Sequence, residues 1–211
     1  MEQIAEFIMH IDEHLITIVE NYGLMSYLVV FFIVFAETGF VVTPFLPGDS
    51  LIFAIGALAA KGGFNIWISY AVLLAAAVLG DALNYFIGHK IGRRAFGGKH
   101  FFKEEHLIKT EEYYEKHGGK TIIIARFIPI IRTFAPFVAG IGKMHYETFF
   151  RYNVVGAFLW VTSFLFAGYF FGNIPYVAKN FELVILAIIA LSVVPATYAY
   201  VLEHVKKRRA K

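Results

Sequence analysis

Four apolar stretches long enough to cross a membrane constrain this chain more than any other feature of its sequence. They cover residues 22–40, 64–88, 149–171 and 181–202, and a helix needs roughly 17–25 apolar residues to span a bilayer. Apolar residues make up 58% of the chain and charged residues only 17%, a balance that a soluble domain of this length does not bury. The sequence therefore predicts an all-α integral membrane protein with a single membrane domain, residues 1–211, and it excludes disordered, coiled-coil and cytosolic enzyme classes.

Two other apolar stretches, residues 38–60 and 121–142, are interrupted by helix-breaking residues. They contain four of the six prolines in the chain, and proline removes a hydrogen bond from a helix interior. Broken backbone at membrane depth is tolerated only where protein or a water-filled cavity surrounds it. We therefore expect two re-entrant helical hairpins beside about four full transmembrane helices, the inverted-repeat arrangement of secondary transporters.

The distribution of basic residues predicts an orientation. The segment 89–120 contains eight lysines and arginines, and the last six positions contain five, so the positive-inside rule places both regions in the cytoplasm. An even number of crossings must separate them, and residues 121–142 are therefore expected to enter and leave from the cytoplasm. The same counting predicts that residues 38–60 dip in from outside and that both termini are cytoplasmic.

The other segments complete the predicted organisation. Residues 1–21 carry five acidic residues and no basic n-region, so we expect an amphipathic helix and not a signal peptide. The first half then covers residues 22–88, a cytoplasmic loop with an amphipathic helix covers 89–120, the second half with its hairpin and two spans covers 121–202, and a basic tail covers 203–211. We expect the tail to contact anionic lipid, not nucleic acid.

Beyond the first three residues of each apolar segment there are five charged residues, and each costs roughly 2.5–3.5 kcal/mol at a helix centre. They are Glu37, Asp49, Asp81, Arg126 and Arg132. Charged side chains at membrane depth must pair, face water or bind a ligand. These five are therefore the candidate functional residues.

The first two acids each leave two interpretations open. Glu37 ends the first span, where a carboxylate opposes the helix dipole, so it either exchanges protons or forms a salt bridge with an arginine of the second hairpin. Asp49 follows Pro47 and Gly48, where it either caps the next helix or acts at the tip of a hairpin.

The arginines lie six residues apart around Pro129, which bends the chain and allows both to face one cavity. Arg126 and Arg132 stay charged and present a planar fork that suits phosphate oxygens. They serve either as counter-ions for the acids or as a receptor for an anion. Asp81 lies near the predicted cytoplasmic end of its span, and we expect an interfacial acid that pairs with Arg126 or Lys90.

Catalytic and metal-binding motifs are not recognisable. The chain has no cysteine, and its eight histidines show no metal-ligand spacing, so we expect neither a metal site nor a cofactor. No glycine-rich phosphate loop and no Ser-His-Asp order stands out. The expectation is a protein that is not an enzyme.

Three motifs at these positions resemble the signatures of the bacterial DedA family of membrane proteins. Residues 37–39 and 44–49 resemble the first signature, Gly80, Asp81, Tyr85, Gly88 and Gly92 resemble the second, and residues 126–133 with Pro136, Ala139 and Gly140 resemble the third. The motifs span most of the chain in the expected order.

The resemblance implies re-entrant hairpins and a transporter of lipid carriers in the bacterial cytoplasmic membrane. Its substrate would be undecaprenyl phosphate or phosphatidylethanolamine, and transport would depend on proton motive force. The family's essential acids fall on Glu37 and Asp49, and its essential arginines fall on Arg126 and Arg132. Supporting residues carried over with the motifs are Asp81, Tyr85, Pro44, Pro47, Gly48, Pro129 and Pro136.

We therefore expect a multi-pass flippase in which Arg126 and Arg132 hold the headgroup phosphate of a lipid. Glu37 and Asp49 would take up protons and couple loading to the proton gradient. Three other classes stay open: a proton-coupled antiporter for a small ion or drug, a membrane lipid phosphatase, and a scaffold for other membrane proteins. Membrane lipids and protons are the expected partners, and the lipid moved, the coupling ion and the oligomeric state are left open.

Overall fold

Six helices make up the regular structure of the described residues. The computed structural model describes residues 23–40, 48–95, 118–142, 144–172 and 174. In chain order the helices are α1 (Leu24–Gly39), α2 (Gly48–Ala60), α3 (Ile66–Ala95), α4 (Lys120–Ala125), α5 (Pro129–Ile141) and α6 (Tyr146–Phe171). The expected all-α class is confirmed for these residues.

Several predicted features lie outside the described residues. They are the N-terminal helix at residues 1–21, Pro44 and Pro47 of the first hairpin, the amphipathic helix of the loop 89–120, the fourth span at 181–202 and the basic tail at 203–211. These features stay predictions.

Two of the described helices are long and apolar enough to cross a membrane. They are the segment Ile66–Lys90 of α3, with 25 residues, and α6, with 26 residues. Large apolar side chains are exposed on the outside, among them Leu24 (79%), Trp67 (68%) and Phe170 (67%). Exposed apolar surface around buried charge suits a lipid surrounding. Because α1 has only 16 residues, the expected number of four full spans stays a prediction.

The start of α3 is fixed by Asn65. Its side-chain Oδ1 accepts hydrogen bonds from the backbone N–H groups of Trp67 (3.0 Å) and Ile68 (3.2 Å), which is the geometry of a helix N-cap. The Asn65 N–H donates to the Tyr27 hydroxyl at 2.8 Å, so the start of α3 is tied to the start of α1. From there α3 runs for 30 residues, about 45 Å at helical rise.

The odd-numbered helices α1, α3 and α5 pack together and run in the same direction. Tyr27 near the start of α1 meets the start of α3. Further along α3, the Asn84 side chain donates to the carbonyl oxygens of Thr38, at the end of α1, and Thr133, near the start of α5. Gly140, near the end of α5, lies against α3 one turn beyond Asn84. We call these three helices the odd group.

The even-numbered helices α2, α4 and α6 run the opposite way and form the even group, in which α2 and α4 both pack on α6. Trp160 in the middle of α6 donates to Asp49 at the start of α2. Gly168, nearer the end of α6, lies against the backbone of Phe53 further along α2. Gly119, just before α4, lies against α6 near its start.

The second helix of each half packs on the long helix of the other half. A side chain at Gly56 would overlap the carbonyl oxygen of Leu165, where α2 meets α6. A side chain at Gly140 would overlap the carbonyl oxygen of Tyr85, where α5 meets α3. Glycine thus allows direct backbone contact at both places, and the order α1–α2–α3 is repeated by α4–α5–α6 in the opposite direction.

The arrangement of α1 differs from the sequence-based expectation. Residues 22–40 were expected to cross the membrane before residues 38–60 dipped in from the far side. Instead α1 runs parallel to α3 and ends at Gly39, beside Gly80 near the middle of α3, and α2 leads back to the start of α3. Apolar length alone does not separate a full crossing from one leg of a hairpin. The crossing count that placed the N-terminus in the cytoplasm does not hold for these residues, and the orientation of the termini stays a prediction.

The second hairpin breaks before Pro129 and continues as a helix through Pro136. The sequence-based expectation was that this segment does not run as one straight helix, and the break before Pro129 agrees with it. Pro136 removes one donor from α5 without ending the helix, and neighbouring helices in a membrane tolerate such a loss.

Candidate functional site

The second hairpin presents both arginines because its helix breaks between them. Helix α4 ends at Ala125, and Ile128 has an extended backbone (φ −115°, ψ 108°), as the residue before a proline prefers. Pro129 is the first residue of α5, a position where a backbone N–H would have no partner within the helix, so proline costs no hydrogen bond there. Arg126 therefore lies in the turn, and Arg132 lies one turn into α5.

Arg132 forms ion pairs with two acids from the first half. Its Nη2 pairs with Oε1 of Glu37, at the end of α1, and its Nη1 lies 2.7 Å from Oδ1 of Asp49, at the start of α2. The Arg132 and Glu37 side chains are each 5% exposed, and that of Asp49 is 15% exposed. A side chain at Gly48 would overlap the Glu37 carboxylate, so glycine leaves the room that the pair occupies. The structure thus contains the salt bridge that was one of the two interpretations for Glu37. The Asp49 carboxylate forms an ion pair with the same arginine.

Arg126 belongs to a second cluster. Its Nη2 donates to the Asp81 carboxylate and to Oδ1 of Asn153, the latter at 2.7 Å. Asn153 is held in turn, because its Nδ2 donates to the Val78 carbonyl at 3.0 Å. The expected pairing of Asp81 with Arg126 is present, but the expected interfacial position is wrong. Asp81 is buried near the middle of α3 because that helix continues beyond the apolar stretch to Ala95.

Trp160 lies between the two clusters. Its indole N–H donates at 2.8 Å to the same Asp49 oxygen that Arg132 contacts. The guanidinium carbon of Arg132 is 4.4 Å from the centre of the indole ring, and that of Arg126 is 5.8 Å away. Both distances are within the range of cation–π attraction.

A small cavity joins the two clusters. Its lining consists of Thr38, Asp81, Ile122, Arg126, Arg132, Pro136 and Trp160. Its volume is ≈ 10 Å³, about the space that one water molecule needs. Among the described residues, Nη1 of Arg126 is buried and has no hydrogen-bond partner. Both guanidiniums thus border the cavity, and Arg126 has an N–H group to spare.

The site holds more acid than base. Three carboxylates, those of Glu37, Asp49 and Asp81, face two guanidiniums. With all five groups ionised the cluster has one surplus negative charge. An arrangement of this kind can take up a proton, and it can exchange a carboxylate partner of an arginine for another anion.

The other predicted site residues are placed as follows. Tyr85 is buried one turn from Asp81, stacks on Phe149 (ring centres 4.5 Å apart) and donates to the Met144 carbonyl at 2.5 Å, so it lies outside the cavity. Pro136 lines the cavity. In the described helices, no group of three or more acidic or histidine side chains is arranged to hold a metal ion.

Sequence reasoning missed Trp160, Asn153 and Asn84, although each carries a recognisable signal. Asparagines inside apolar helices usually hydrogen-bond across to a neighbouring helix. Tryptophan is enriched at membrane interfaces, so a tryptophan in the middle of a 26-residue apolar helix stands out. The identity of their partners depends on tertiary structure.

Comparison with known proteins identifies similar membrane proteins. Residues 46–170 match the VTT domain family. The chain is 51% identical over 211 residues to Protein DedA of Escherichia coli strain K12, covering 98% of this chain and 94% of the relative. It is 43% identical over 169 residues to an uncharacterized membrane protein of Mycobacterium leprae, covering 79% and 76%. It is 31% identical over 172 residues to inner membrane protein YqjA of Escherichia coli strain K12, covering 81% and 78%. No solved structure matches the chain.

Proposed function

Since the chain belongs to the DedA family of membrane proteins and carries its VTT domain, we propose that it is a proton-motive-force-dependent transporter, not an enzyme. Its substrate is a lipid with a phosphate-bearing headgroup, either undecaprenyl phosphate or phosphatidylethanolamine. It moves this lipid across the bacterial cytoplasmic membrane.

One observation carries the proposal: two buried arginines from one hairpin line the same internal cavity. Arginine recognises phosphate oxygens through parallel N–H groups. Nη1 of Arg126 is already free to donate within the described part of the site. Because the ion pairs and hydrogen bonds of both arginines go to carboxylates and Asn153, a phosphate enters by replacing carboxylate partners.

Protonation of Glu37 and Asp49 would prepare the site for this exchange. Both acids pair with Arg132, and a neutral carboxylic acid holds a guanidinium far less strongly than a carboxylate does. With both acids neutral, the two arginines and Asp81 leave one surplus positive charge. That charge matches a singly charged phosphate group, so proton uptake and phosphate binding support each other.

The site would open between the odd and even groups of helices. Ion pairs and hydrogen bonds link the two groups at Arg132–Asp49, Arg126–Asp81 and Asn153–Val78. Within each group, by contrast, glycines bring helix backbones into direct contact. Loss of the Arg132–Asp49 ion pair therefore loosens the boundary between the groups, while the glycine contacts keep each group together. The acyl chain would stay in the bilayer while the headgroup passes between them.

Cross-linking tests this opening, because the chain has no native cysteine. Cysteines at Trp67 and Phe166 join α3 to α6 across the boundary, where the two rings lie 6.3 Å apart. Cysteines at Tyr27 and Phe64 join α1 to the start of α3 within the odd group, where the rings lie 5.2 Å apart. A short bifunctional thiol reagent should stop transport in the first double variant and leave it in the second. Equal transport in both would refute the opening.

Lipid translocation in proteoliposomes tests the function itself. Labelled undecaprenyl phosphate and phosphatidylethanolamine are assayed separately, with and without a pH gradient. Wild type and Arg132→Ala are compared with Arg151→Ala, an exposed arginine on α6. We expect gradient-stimulated translocation that Arg132→Ala abolishes and Arg151→Ala keeps. Translocation by Arg132→Ala at the wild-type rate would refute the assignment.

A second candidate is a proton-coupled antiporter for a small ion or drug. The surplus carboxylate and the cavity of ≈ 10 Å³ favour it, because a site of this size fits a small solute. In this case the arginines are counter-ions only. Uptake of a small solute driven by a pH gradient, with no movement of either lipid, would select this candidate.

A further inference from the structure

The two tryptophans of the chain occupy opposite environments. Trp67 near the start of α3 is 68% exposed, whereas Trp160 in the middle of α6 is 0% exposed and lines the central cavity. Tryptophan at a membrane interface is common. A buried tryptophan that contacts three charged residues requires a different explanation.

Trp160 makes two kinds of contact, one through its ring N–H and one through the face of its ring. The ring N–H donates to Oδ1 of Asp49 at 2.8 Å, and an indole nitrogen can only donate. The ring face lies 4.4 Å from the guanidinium carbon of Arg132, and Arg132 Nη1 donates to the same Asp49 oxygen. Asp49, Arg132 and Trp160 therefore form a closed triangle in which each member contacts the other two.

The triangle joins parts that transport has to separate. Asp49 and Trp160 lie on the even group, and Arg132 lies on the odd group together with its second partner, Glu37. The contact between the Arg132 guanidinium and the indole ring does not depend on either ion pair of Arg132. It therefore remains when a proton or a phosphate displaces one of these pairs. The attraction between a cation and an indole face is strongest where water is excluded, so the guanidinium keeps a defined position.

We propose that Trp160 is a positioning residue of the phosphate site. Its N–H fixes the Asp49 carboxylate, and its ring holds the Arg132 guanidinium at the cavity while ion pairs exchange for phosphate, before the two groups of helices separate. This inference rests on the proposed function, and it adds to that function a residue that none of the charged motifs contains.

The first test is the dependence of lipid translocation on substrate concentration. Trp160→Phe keeps a ring face but loses the N–H, and Trp160→Leu loses both. We expect Trp160→Phe to raise the apparent KM on the order of tenfold, as loss of a hydrogen bond to a charged group does, and Trp160→Leu to raise it further. Trp67→Phe and Trp67→Leu are the matched controls and should leave KM unchanged.

A packing role alone predicts a different result. It would lower the folded yield and the melting temperature of the Trp160 variants, and the folded fraction would keep the wild-type KM. That outcome would overturn the proposal. If Trp160→Phe does not fold, a tryptophan analogue whose ring N–H is replaced by sulfur keeps the shape of the side chain. Placed at position 160 in the Trp67→Phe background, it should raise KM in the same way.

A second measurement separates failure of this inference from failure of the proposed function. Thermal unfolding in detergent micelles is recorded for Trp160→Phe, Asp49→Asn and the double variant. If Trp160 holds Asp49, the double variant loses less stability than the two single losses combined, whether or not any lipid moves. Additive losses would overturn the inference, and a wild type that moves neither lipid would overturn the proposed function alone.

Discussion

Removal of the Asp81 carboxylate should destabilise the protein strongly, because it leaves Arg126 charged and buried. Arg126 and Asp81 are 4% and 7% exposed, and after Asp81→Asn the guanidinium would keep Asn153 as its hydrogen-bond acceptor at 2.7 Å. Breaking one partner of a buried ion pair costs about 3–5 kcal/mol. For a chain of this size that corresponds to a loss of about 6–20 °C in melting temperature.

The double variant Asp81→Leu with Arg126→Met should recover most of this loss, because an apolar pair can replace a buried ion pair at little cost. Recovery will be incomplete, since Asn153 Oδ1 then loses its donor. The assay is thermal unfolding in detergent micelles, followed by circular dichroism. Glu147→Gln is the matched control, because Glu147 is an exposed acid at the start of α6 and should change little. A stability of Asp81→Asn equal to that of wild type would refute the reasoning, as would a double variant less stable than the single one.

Further changes should show how the helices are held together. Gly140→Ala should destabilise the protein by about 1–3 kcal/mol, because overpacking forces the backbones of α3 and α5 apart. Gly39→Ala should be tolerated, since its new methyl group meets nothing closer than 3.5 Å. Thermal unfolding in micelles compares the two variants, and equal melting temperatures would contradict the close contact at Gly140. Asn65→Ala should cost about 1 kcal/mol through loss of the α3 cap, and Asn65→Asp, which also caps, should restore stability; failure of this rescue would exclude capping as the cause. Tyr70→Phe removes the hydrogen bond to the Thr162 hydroxyl at 2.9 Å and should cost about 0.6 kcal/mol, the mean for such bonds between membrane helices; the same loss in a Thr162→Val background would show that the bond is not its origin.

The charged residues of the site could be predicted from the sequence because burial of charge is expensive in any membrane fold. Arg126 and Arg132 were expected to face one cavity through the bend at Pro129, and both line the cavity. The Glu37–Arg132 salt bridge was one of two interpretations for that acid. These inferences needed only the cost of a charge in an apolar segment and the effect of proline on a helix.

Helix direction and depth could not be predicted in the same way. Residues 22–40 contain enough apolar residues to cross a bilayer, and their parallel packing on α3 depends on contacts such as the one between Gly39 and Gly80. The depth of Asp81 was misjudged because the apolar stretch ends near Gly88, while α3 runs on to Ala95. Pairings such as Trp160 with Asp49 join residues that are 111 positions apart, which local patterns do not specify.

The distribution of charge over the two halves explains why the site requires the whole fold. All three acids, Glu37, Asp49 and Asp81, come from α1, α2 and α3, and both arginines come from the hairpin of α4 and α5. Either half alone would bury charge of a single sign, which a membrane does not tolerate. The ion pairs therefore favour assembly of the two halves, and the same pairs are the contacts that proton uptake weakens. A site built from opposite charges on opposite halves thus connects the stability of the closed form to the event that opens it.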